Sequence, residues 1–195
     1  MKSLIAIISI LLIFGSLTIS GLLVEGPCRY NEITPLKSLD LAAYMGTWYE
    51  LERYELDLRQ NSDCIKLEMT SSGGQEFDSA ESGFNYFEGK NYAIQAKGVV
   101  PQAGDAKIAY SYEGQPAPEG TNYWVLDTDY KNFAIIWGCQ EVAGGNSTEY
   151  YATLSREKRL TTDRTIRERI MKVIDTAEID VRFIRITVQE SDVCP

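Results

Sequence analysis

The middle of this chain is a long succession of short alternating segments, and this feature constrains the fold more than any other. From Gly46 onwards, apolar and polar residues alternate in segments separated by turn-forming residues, over roughly 110 residues. In the clearest segment, Ile65, Leu67 and Met69 are separated by polar residues. Because successive side chains of a strand point to opposite faces, this pattern predicts a strand with one buried face. The region is therefore expected to be all-β.

Eight such segments are delimited by the turns between them. They cover residues 46–54, 64–70, 76–87, 91–100, 106–112, 122–128, 133–141 and 148–156. Short strands at this regular spacing predict either a β-sandwich or an up-and-down barrel. A short helical turn is expected before them, over 39–45, and a short edge strand after them, over 182–188.

Beyond the eighth segment the apolar residues recur at helical spacing. They predict one amphipathic helix over 162–177, with Thr161 or Thr162 as its N-cap and with an apolar face formed by Ile166, Ile170, Val173 and Ile174. If the eight strands form a closed barrel, the single helix can pack on the outside of its wall. A barrel of eight strands has room inside for one small ligand.

The first residues have the composition of a secretory signal peptide. Lys2 supplies a positive charge, and the apolar run over 4–14 is too short to span a bilayer. We expect a signal peptide over 1–20, with cleavage somewhere within 20–26, rather than a retained signal anchor. The mature protein is then secreted, forms one domain over 27–195 and has no stable membrane anchor.

Composition excludes several classes of function. The chain contains no histidine, so a Ser-His-Asp triad and histidine-ligated zinc or haem are impossible. Its 28 acidic residues outnumber 19 basic ones, which disfavours nucleic acids and anionic membranes as partners. The four cysteines include no CxxC pair, so we expect no metal site and two disulfides. Four cysteines permit three pairings, among which spacing alone does not choose.

Three short motifs occur in order along the predicted strands. Gly46-Thr47-Trp48 opens the first strand, Thr128-Asp129-Tyr130 separates the sixth from the seventh, and Arg156 ends the eighth. In combination they resemble the three sequence motifs of the lipocalin family, and the resemblance extends over residues 28–195. Within that family the chain is most similar to the branch of apolipoprotein D, bilin-binding protein and Lazarillo, with the crustacyanin subunits close by.

The resemblance implies an eight-stranded antiparallel up-and-down lipocalin barrel with one C-terminal helix packed outside. It also implies the disulfide pairing Cys28–Cys139 and Cys64–Cys194.

The resemblance assigns structural roles to the motif residues. Trp48 is expected to plug the closed end of the barrel, with Arg156 lying over its ring as a cation–π pair. Gly46 gives the backbone room at this end. Asp129 and Asn132 are expected to stabilise the turn after the sixth strand through side-chain hydrogen bonds to the backbone.

Strand alternation identifies the side chains expected to line the interior and contact a ligand. These candidates are Glu50, Leu67, Met69, Tyr92, Ile94, Tyr110, Tyr112, Tyr123, Val125, Tyr150 and Ala152. If Trp48 points inward, alternation also turns Glu50, Glu52 and Tyr54 inward. Because a buried carboxylate needs a partner, we expect a bend in this strand to release one of the two glutamates.

Strands six and seven are apolar on both faces. We expect Tyr123 and Val125 to point into the barrel, which leaves Trp124 and Leu126 to pack against the helix.

The expected function is extracellular binding and transport of a small hydrophobic ligand. Tyrosine offers a flat apolar face and one hydroxyl, which suits biliverdin, a carotenoid or a retinoid; sterols and fatty acids are further candidates. Any such pigment would be bound non-covalently, and no other cofactor is expected. An alternative interpretation of equal weight is that several of these tyrosines only fill the barrel or lie on its rim.

Two alternative functions and one modification complete the expectations. The chain could be a protein-interaction or signalling lipocalin of the Lazarillo type. It could be a lipocalin-fold enzyme. Such enzymes usually carry a free cysteine in the cavity, whereas all four cysteines of this chain are expected to be paired, so we expect no enzymatic activity. Asn146-Ser147-Thr148 is a glycosylation sequon in a predicted hairpin.

Overall fold

The computed structural model describes residues 22–54, 61–115, 120–190 and 193–194. The predicted signal peptide over 1–20 lies outside the described residues. The strands are β1 (Leu22–Val24), β2 (Gly46–Tyr54), β3 (Ser62–Gly73), β4 (Glu76–Asn85), β5 (Lys90–Val99), β6 (Lys107–Tyr112), β7 (Tyr123–Thr128), β8 (Phe133–Val142), β9 (Asn146–Ser155) and β10 (Ile184–Ile186). The α-helices are α1 (Leu41–Tyr44) and α2 (Arg164–Thr176), and a 3-10 turn spans Val181–Phe183.

The eight strands from β2 to β9 form a closed antiparallel barrel. Each strand pairs with the next along the chain, and β9 returns to pair with β2. At this closure Ser155 lies opposite Tyr49, and Leu154 lies opposite Glu50. Because the first and last strands of the series pair with each other, the sandwich alternative is excluded. The predicted eight-stranded up-and-down barrel is confirmed.

A β-bulge in β2 reverses the alternation of side chains along that strand. Glu50 opposes Leu154, but the next pair is Glu52 with Thr153, so Leu51 is the extra residue. Beyond the bulge, Arg53 opposes Ala152 and shares its inward direction. Glu52 and Tyr54 therefore point outward. This is the bend that the burial of two glutamates predicted, and Glu52 is the residue it releases.

Two short strands extend the wall beyond the eight. β10 pairs with Glu52–Tyr54 of β2 and corresponds to the predicted edge strand, although it is only three residues long. β1 pairs with Ser147–Glu149 of β9, which lie beyond the part of β9 that pairs with β2. The sequence pattern did not predict β1, because its residues fall inside the range assigned to signal cleavage.

Helix α2 packs on the outside of the barrel wall. Its Ile170 and Ile174 are buried in one cluster with Trp124 and Leu126 of β7. The expectation that these two β7 residues face the helix is therefore correct. Their neighbours Tyr123 and Val125 belong to the core inside the barrel.

The first turn of α2 differs from its prediction. Its N-cap is Asp163, not Thr161 or Thr162, and the Asp163 carboxylate accepts hydrogen bonds from the N–H groups of Thr165 and Ile166. Aspartate is as good an N-cap as serine and better than threonine, which explains why the helix starts after it.

Candidate ligand-binding site

The closed end of the barrel is built around Trp48 and Arg156. The indole N–H of Trp48 donates to the carbonyl of Tyr44 at 2.8 Å, and the Arg156 guanidinium lies 3.6 Å from the ring centroid. The same guanidinium donates to the carbonyl oxygens of Ala43, Tyr44, Met45, Thr47 and Tyr130. These bonds satisfy its donors, so Arg156 closes the base of the barrel and is not directed at a ligand.

Gly46 is required at this end for two reasons. Its φ of +99° lies in a region that side-chain-bearing residues rarely adopt. A Cβ atom at this position would also lie 3.3 Å from Nη1 of Arg156. The Arg156 side chain therefore lies close to the backbone at Gly46, in the space that the missing side chain leaves, as the resemblance implied.

The turn between β7 and β8 is held by the second motif. Oδ1 of Asp129 accepts hydrogen bonds from the backbone N–H groups of Lys131, Asn132 and Phe133. Burial alone would raise the pKa of the Asp129 carboxyl, but these bonds and one from the Asn132 amide lower it below its usual value. Thr128 donates to the carbonyl of Phe133 at 2.6 Å.

One side of the barrel interior is aromatic. The hydroxyls of Tyr44 and Tyr123 are 2.8 Å apart, and the ring of Tyr123 stacks on Tyr110 at 5.2 Å. Tyr110 in turn contacts Phe77 at 6.3 Å and Tyr112 at 5.5 Å between ring centroids. Burial raises the pKa of the Tyr44 and Tyr123 hydroxyls well above the usual range. We call these five residues the aromatic wall.

The opposite side of the interior holds a buried ion pair. Nη1 of Arg53 donates to Oε1 of Glu50 at 2.7 Å, and both side chains are fully buried. Nη2 of Arg53 also donates to the carbonyl of Ser62 at 2.8 Å. Tyr150 donates to the other carboxylate oxygen of Glu50 at 3.4 Å, from the interior face of β9. Glu50 was among the residues that strand alternation predicted to point inward. Alternation missed Arg53, because the bulge in β2 turns the Arg53 side chain inward.

The C-terminal segment completes the wall behind this pair. The Thr187 hydroxyl accepts from Arg53 at 2.8 Å and donates to Glu50 at 2.9 Å. The Gln189 amide donates to the carbonyls of Glu50 and Ile65, so the segment lies between β2 and β3. The buried charges are therefore also hydrogen-bonded by the C-terminal segment.

The inner faces of β4 and β5 add further polar groups. Ser79 and Glu81 are each 1% exposed, and the Tyr92 hydroxyl donates to Oε1 of Glu81 at 3.4 Å. Ile94 lies opposite Glu81 across the two strands but is 37% exposed. Sequence reasoning missed Phe77, Ser79 and Glu81 because β4 alternates only weakly. The spacing of these three residues, at positions i, i+2 and i+4 of one strand, was the signal that could have placed them on a common face.

The eleven predicted ligand residues fall into four groups. Six are buried in the interior core: Leu67, Met69, Tyr110, Tyr123, Val125 and Ala152. Tyr112 and Tyr150 are partly buried and pack against this core. Glu50 is in the ion pair, while Tyr92 and Ile94 are the more exposed members on β5.

Two disulfides fasten the terminal arms to the barrel. Cys28 is bonded to Cys139 of β8, and Cys64 of β3 is bonded to Cys194. This is the pairing that the family resemblance implies. Both bridges close loops of more than 100 residues, so each greatly restricts the unfolded chain.

Neither a membrane-spanning helix nor a metal cluster is found in the described parts of the chain. No helix there is long and apolar enough to cross a bilayer. Within the same residues, no three metal-ligating cysteine, aspartate or glutamate side chains lie together in a suitable group.

Comparison with known proteins agrees with this architecture. The profile of the lipocalin-like domain matches residues 39–189. Apolipoprotein D of Macaca fascicularis is 24% identical over 166 residues, which are 82% of this chain and 80% of that protein. The Lazarillo protein of Schistocerca americana is 22% identical over 164 residues, which are 83% of this chain and 75% of that protein.

A solved structure shows the same fold. Lobster apocrustacyanin A1 superposes with a TM-score of 0.72 and 22% identity, covering 89% of this chain and 93% of that one. The relatives are thus of the kind that the three motifs indicated. With the closed barrel, the Trp48–Arg156 base and a family profile spanning most of the sequence, this chain belongs to the lipocalin family.

Proposed function

We propose that this protein is a secreted carrier that binds one small hydrophobic molecule inside its barrel. The observation that carries the proposal is the aromatic wall, which presents flat apolar surface toward the interior of a closed eight-stranded barrel. Membership of the lipocalin family supports binding of small hydrophobic ligands in general. The ligand itself and its extracellular transport are our extension.

Binding is favoured over catalysis by the state of the cysteines. All four are in disulfides, so no thiol is available to act on a bound molecule. We therefore propose no enzymatic activity. The two disulfides and the predicted signal peptide support an oxidising, extracellular location.

Ligand binding is tested by tryptophan fluorescence. Trp48 lies at the base of the barrel and contacts Tyr44 of the aromatic wall, so an occupant is expected to quench its emission. We expect at least one member of a panel of biliverdin, a carotenoid, retinol, a sterol and a fatty acid to quench it saturably. Failure of the whole panel would contradict the proposal. An absorption spectrum of the protein from its native fluid would show at once whether a pigment is bound.

A pair of variants locates the ligand. Tyr110→Leu removes a central ring of the aromatic wall and is expected to weaken binding about tenfold, since a buried ring that contacts a ligand contributes one or more kcal/mol. Phe183→Leu changes a ring that is 46% exposed outside the barrel and should leave binding unchanged. Equal effects of the two substitutions would place the ligand elsewhere.

We also propose that Asn146 carries an N-linked glycan. It begins β9 at a hairpin and its side chain is partly exposed. The protein secreted from eukaryotic cells is expected to migrate faster after treatment with an amidase that removes N-glycans. The Asn146→Gln variant should already migrate at the faster position. If the amidase leaves the wild-type protein unchanged, the sequon is not used.

A further inference from the structure

A buried serine lies on the inner face of β4. Ser79 follows Phe77 by two residues, so its side chain points to the same face as the Phe77 ring, which is part of the core inside the barrel. Directly opposite Ser79 are Met69 on β3 and Ala96 on β5, and both belong to that core. The Ser79 hydroxyl is therefore directed into an apolar part of the interior.

The Ser79 hydroxyl makes no hydrogen bond within the described residues. Ser79 is 1% exposed, and its side-chain oxygen has no partner. A buried hydroxyl without a bond is destabilising, and buried polar groups in folded proteins are nearly always bonded. A polar atom of a bound molecule can make the missing hydrogen bond, at a place inside the barrel where we propose that the ligand lies.

Ser79 lies near the closed base of the barrel. Met69, its neighbour on β3, pairs on its other side with Gly46, the first residue of β2, which lies at this base. In the other direction the interior opens. On β5 the inward side chain of Ala96 is 7% exposed, whereas that of Ile94, two residues closer to the β4–β5 hairpin, is 37% exposed. A ligand that enters from the open end therefore brings its leading end to Ser79.

The space beside Ser79 has one adaptable side and one aromatic side. Because Ser79 is almost completely covered, a ligand reaches its hydroxyl only if a neighbouring side chain moves. Met69 is suited to this movement, since it is unbranched, has three rotatable bonds and lies directly opposite Ser79. On the same face, Phe77 contacts Tyr110 of the aromatic wall. An apolar molecule can thus extend from Ser79 along that wall.

The surroundings of Ser79 favour a neutral polar group. A serine hydroxyl can donate or accept a hydrogen bond but carries no charge, and the residues directly opposite, Met69 and Ala96, are uncharged. An ionised group placed here would lose its hydration with no charged residue opposite it, which is costly. An alcohol or a carbonyl group would only exchange a bond to water for a bond to Ser79.

From these observations we propose that Ser79 anchors the ligand, an elongated apolar molecule that has an alcohol or carbonyl group at one end and enters with that end first. The polar end is hydrogen-bonded to Ser79 at the closed base, and the apolar body lies along the aromatic wall toward the open end. This inference rests on the proposed function and names the class of the ligand and its orientation.

Two brominated alcohols test the orientation in the wild-type protein. Bromine quenches tryptophan emission at short range. Trp48 lies in the core inside the barrel, whereas Trp124 and Trp137 belong to the outer cluster under α2 and give a constant background. We expect dodecanol brominated beside its hydroxyl to quench at least about twice as strongly at saturation as dodecanol brominated at its far end, both measured relative to unbrominated dodecanol. Equal quenching, or stronger quenching by the far bromine, would overturn the inference.

A pair of serine variants tests the anchoring bond. Ser79→Ala is expected to weaken the binding of dodecanol about three- to tenfold, which corresponds to one neutral hydrogen bond. It should leave the binding of dodecyl bromide unchanged, because that compound has no hydrogen-bonding head group. Ser82→Ala makes the same change on the outward face of β4 and should alter neither affinity. If Ser79→Ala weakens dodecanol no more than dodecyl bromide, Ser79 is not the anchor.

The stability of the ligand-free protein tests the premise separately. Because the Ser79 hydroxyl is buried without a bond, Ser79→Ala is expected to leave Tm unchanged or to raise it relative to Ser82→Ala. A clearly lower Tm of Ser79→Ala would mean that the hydroxyl is already bonded in the free protein, for example to a buried water, and would overturn the inference.

The proposed function and this inference fail in different ways. If neither the dodecanols nor any compound of the wider panel binds, the proposed function itself is wrong. If members of the panel bind but the dodecanols do not, or if they bind with the far bromine next to Trp48, only the anchoring and the orientation are wrong and carriage of a hydrophobic ligand stands.

Discussion

Replacing Arg53 with methionine is expected to lower the free energy of unfolding by about 3–5 kcal/mol, the range found when one partner of a buried ion pair is removed. The substitution leaves the Glu50 carboxylate fully buried without the guanidinium that lies 2.7 Å from it. It also removes the donors to the Ser62 carbonyl and the Thr187 hydroxyl. Methionine is unbranched and similar to arginine in volume, so the expected loss arises mainly from charge and hydrogen bonding. Denaturation by urea at neutral pH measures it.

The chain provides a matched control on its surface. Arg164 and Glu168 are also joined at 2.7 Å, but Arg164 is 90% exposed on helix α2. Arg164→Met is expected to change stability by less than about 0.5 kcal/mol, because solvent screens an exposed pair. The two pairs have the same N–O distance, so the contrast measures how much more the buried pair and its additional hydrogen bonds contribute to stability than an exposed pair.

A double variant separates the two contributions to the loss. Glu50→Gln with Arg53→Met removes both charges and is expected to recover part of the stability, since it removes the cost of burying a carboxylate that has lost the Arg53 guanidinium. If Arg53→Met costs less than about 1 kcal/mol, or if the double variant is less stable than Arg53→Met, the buried pair does not have the role assigned to it here.

The strands of this fold were predictable because their signal is local. Alternation places side chains on one face or the other within each strand, so Leu67, Tyr110 and Tyr123 were correctly placed inside the barrel. The same argument led us to expect a bend near Glu50 and Glu52, since two inward carboxylates on one strand would be costly to bury. The closed order of strands also followed, through the motifs that resemble those of lipocalins.

The polar part of the site was not predictable because it depends on contacts distant in sequence. A single extra residue, Leu51, turns Arg53 inward, and no local pattern states where such a residue will lie. The partner Thr187 comes from a segment more than 130 positions away along the chain. Because β4 alternates only weakly, the sequence likewise did not predict that Ser79 points inward. Its buried hydroxyl, which makes no hydrogen bond, is seen only in the structure.

The buried tyrosines are expected to make the protein unfold steeply in alkali. Burial raises the pKa of Tyr44, Tyr123 and Tyr151 well above the usual value, and it raises that of Tyr54 to about 12. A hydroxyl with a raised pKa keeps its proton in the folded state after the unfolded chain has lost it. Its contribution to stability is therefore complete below about pH 10 and is lost as the pH rises toward the folded value.

Each such tyrosine removes about 1.4 kcal/mol of stability per pH unit above pH 10, so Tyr44, Tyr123 and Tyr151 together remove about 4 kcal/mol per unit. Tyrosinate absorbance should show the exposed members of the twelve tyrosines ionising first, and the buried ones ionising only with the loss of β-structure seen by circular dichroism. Tyr151→Phe should reduce the slope of stability against pH by about 1.4 kcal/mol per unit, although it loses the hydroxyl bond to Thr153 at neutral pH. If all twelve tyrosines ionise reversibly near pH 10 while the barrel stays folded, the interior is open to solvent and the buried aromatic wall described here does not exist.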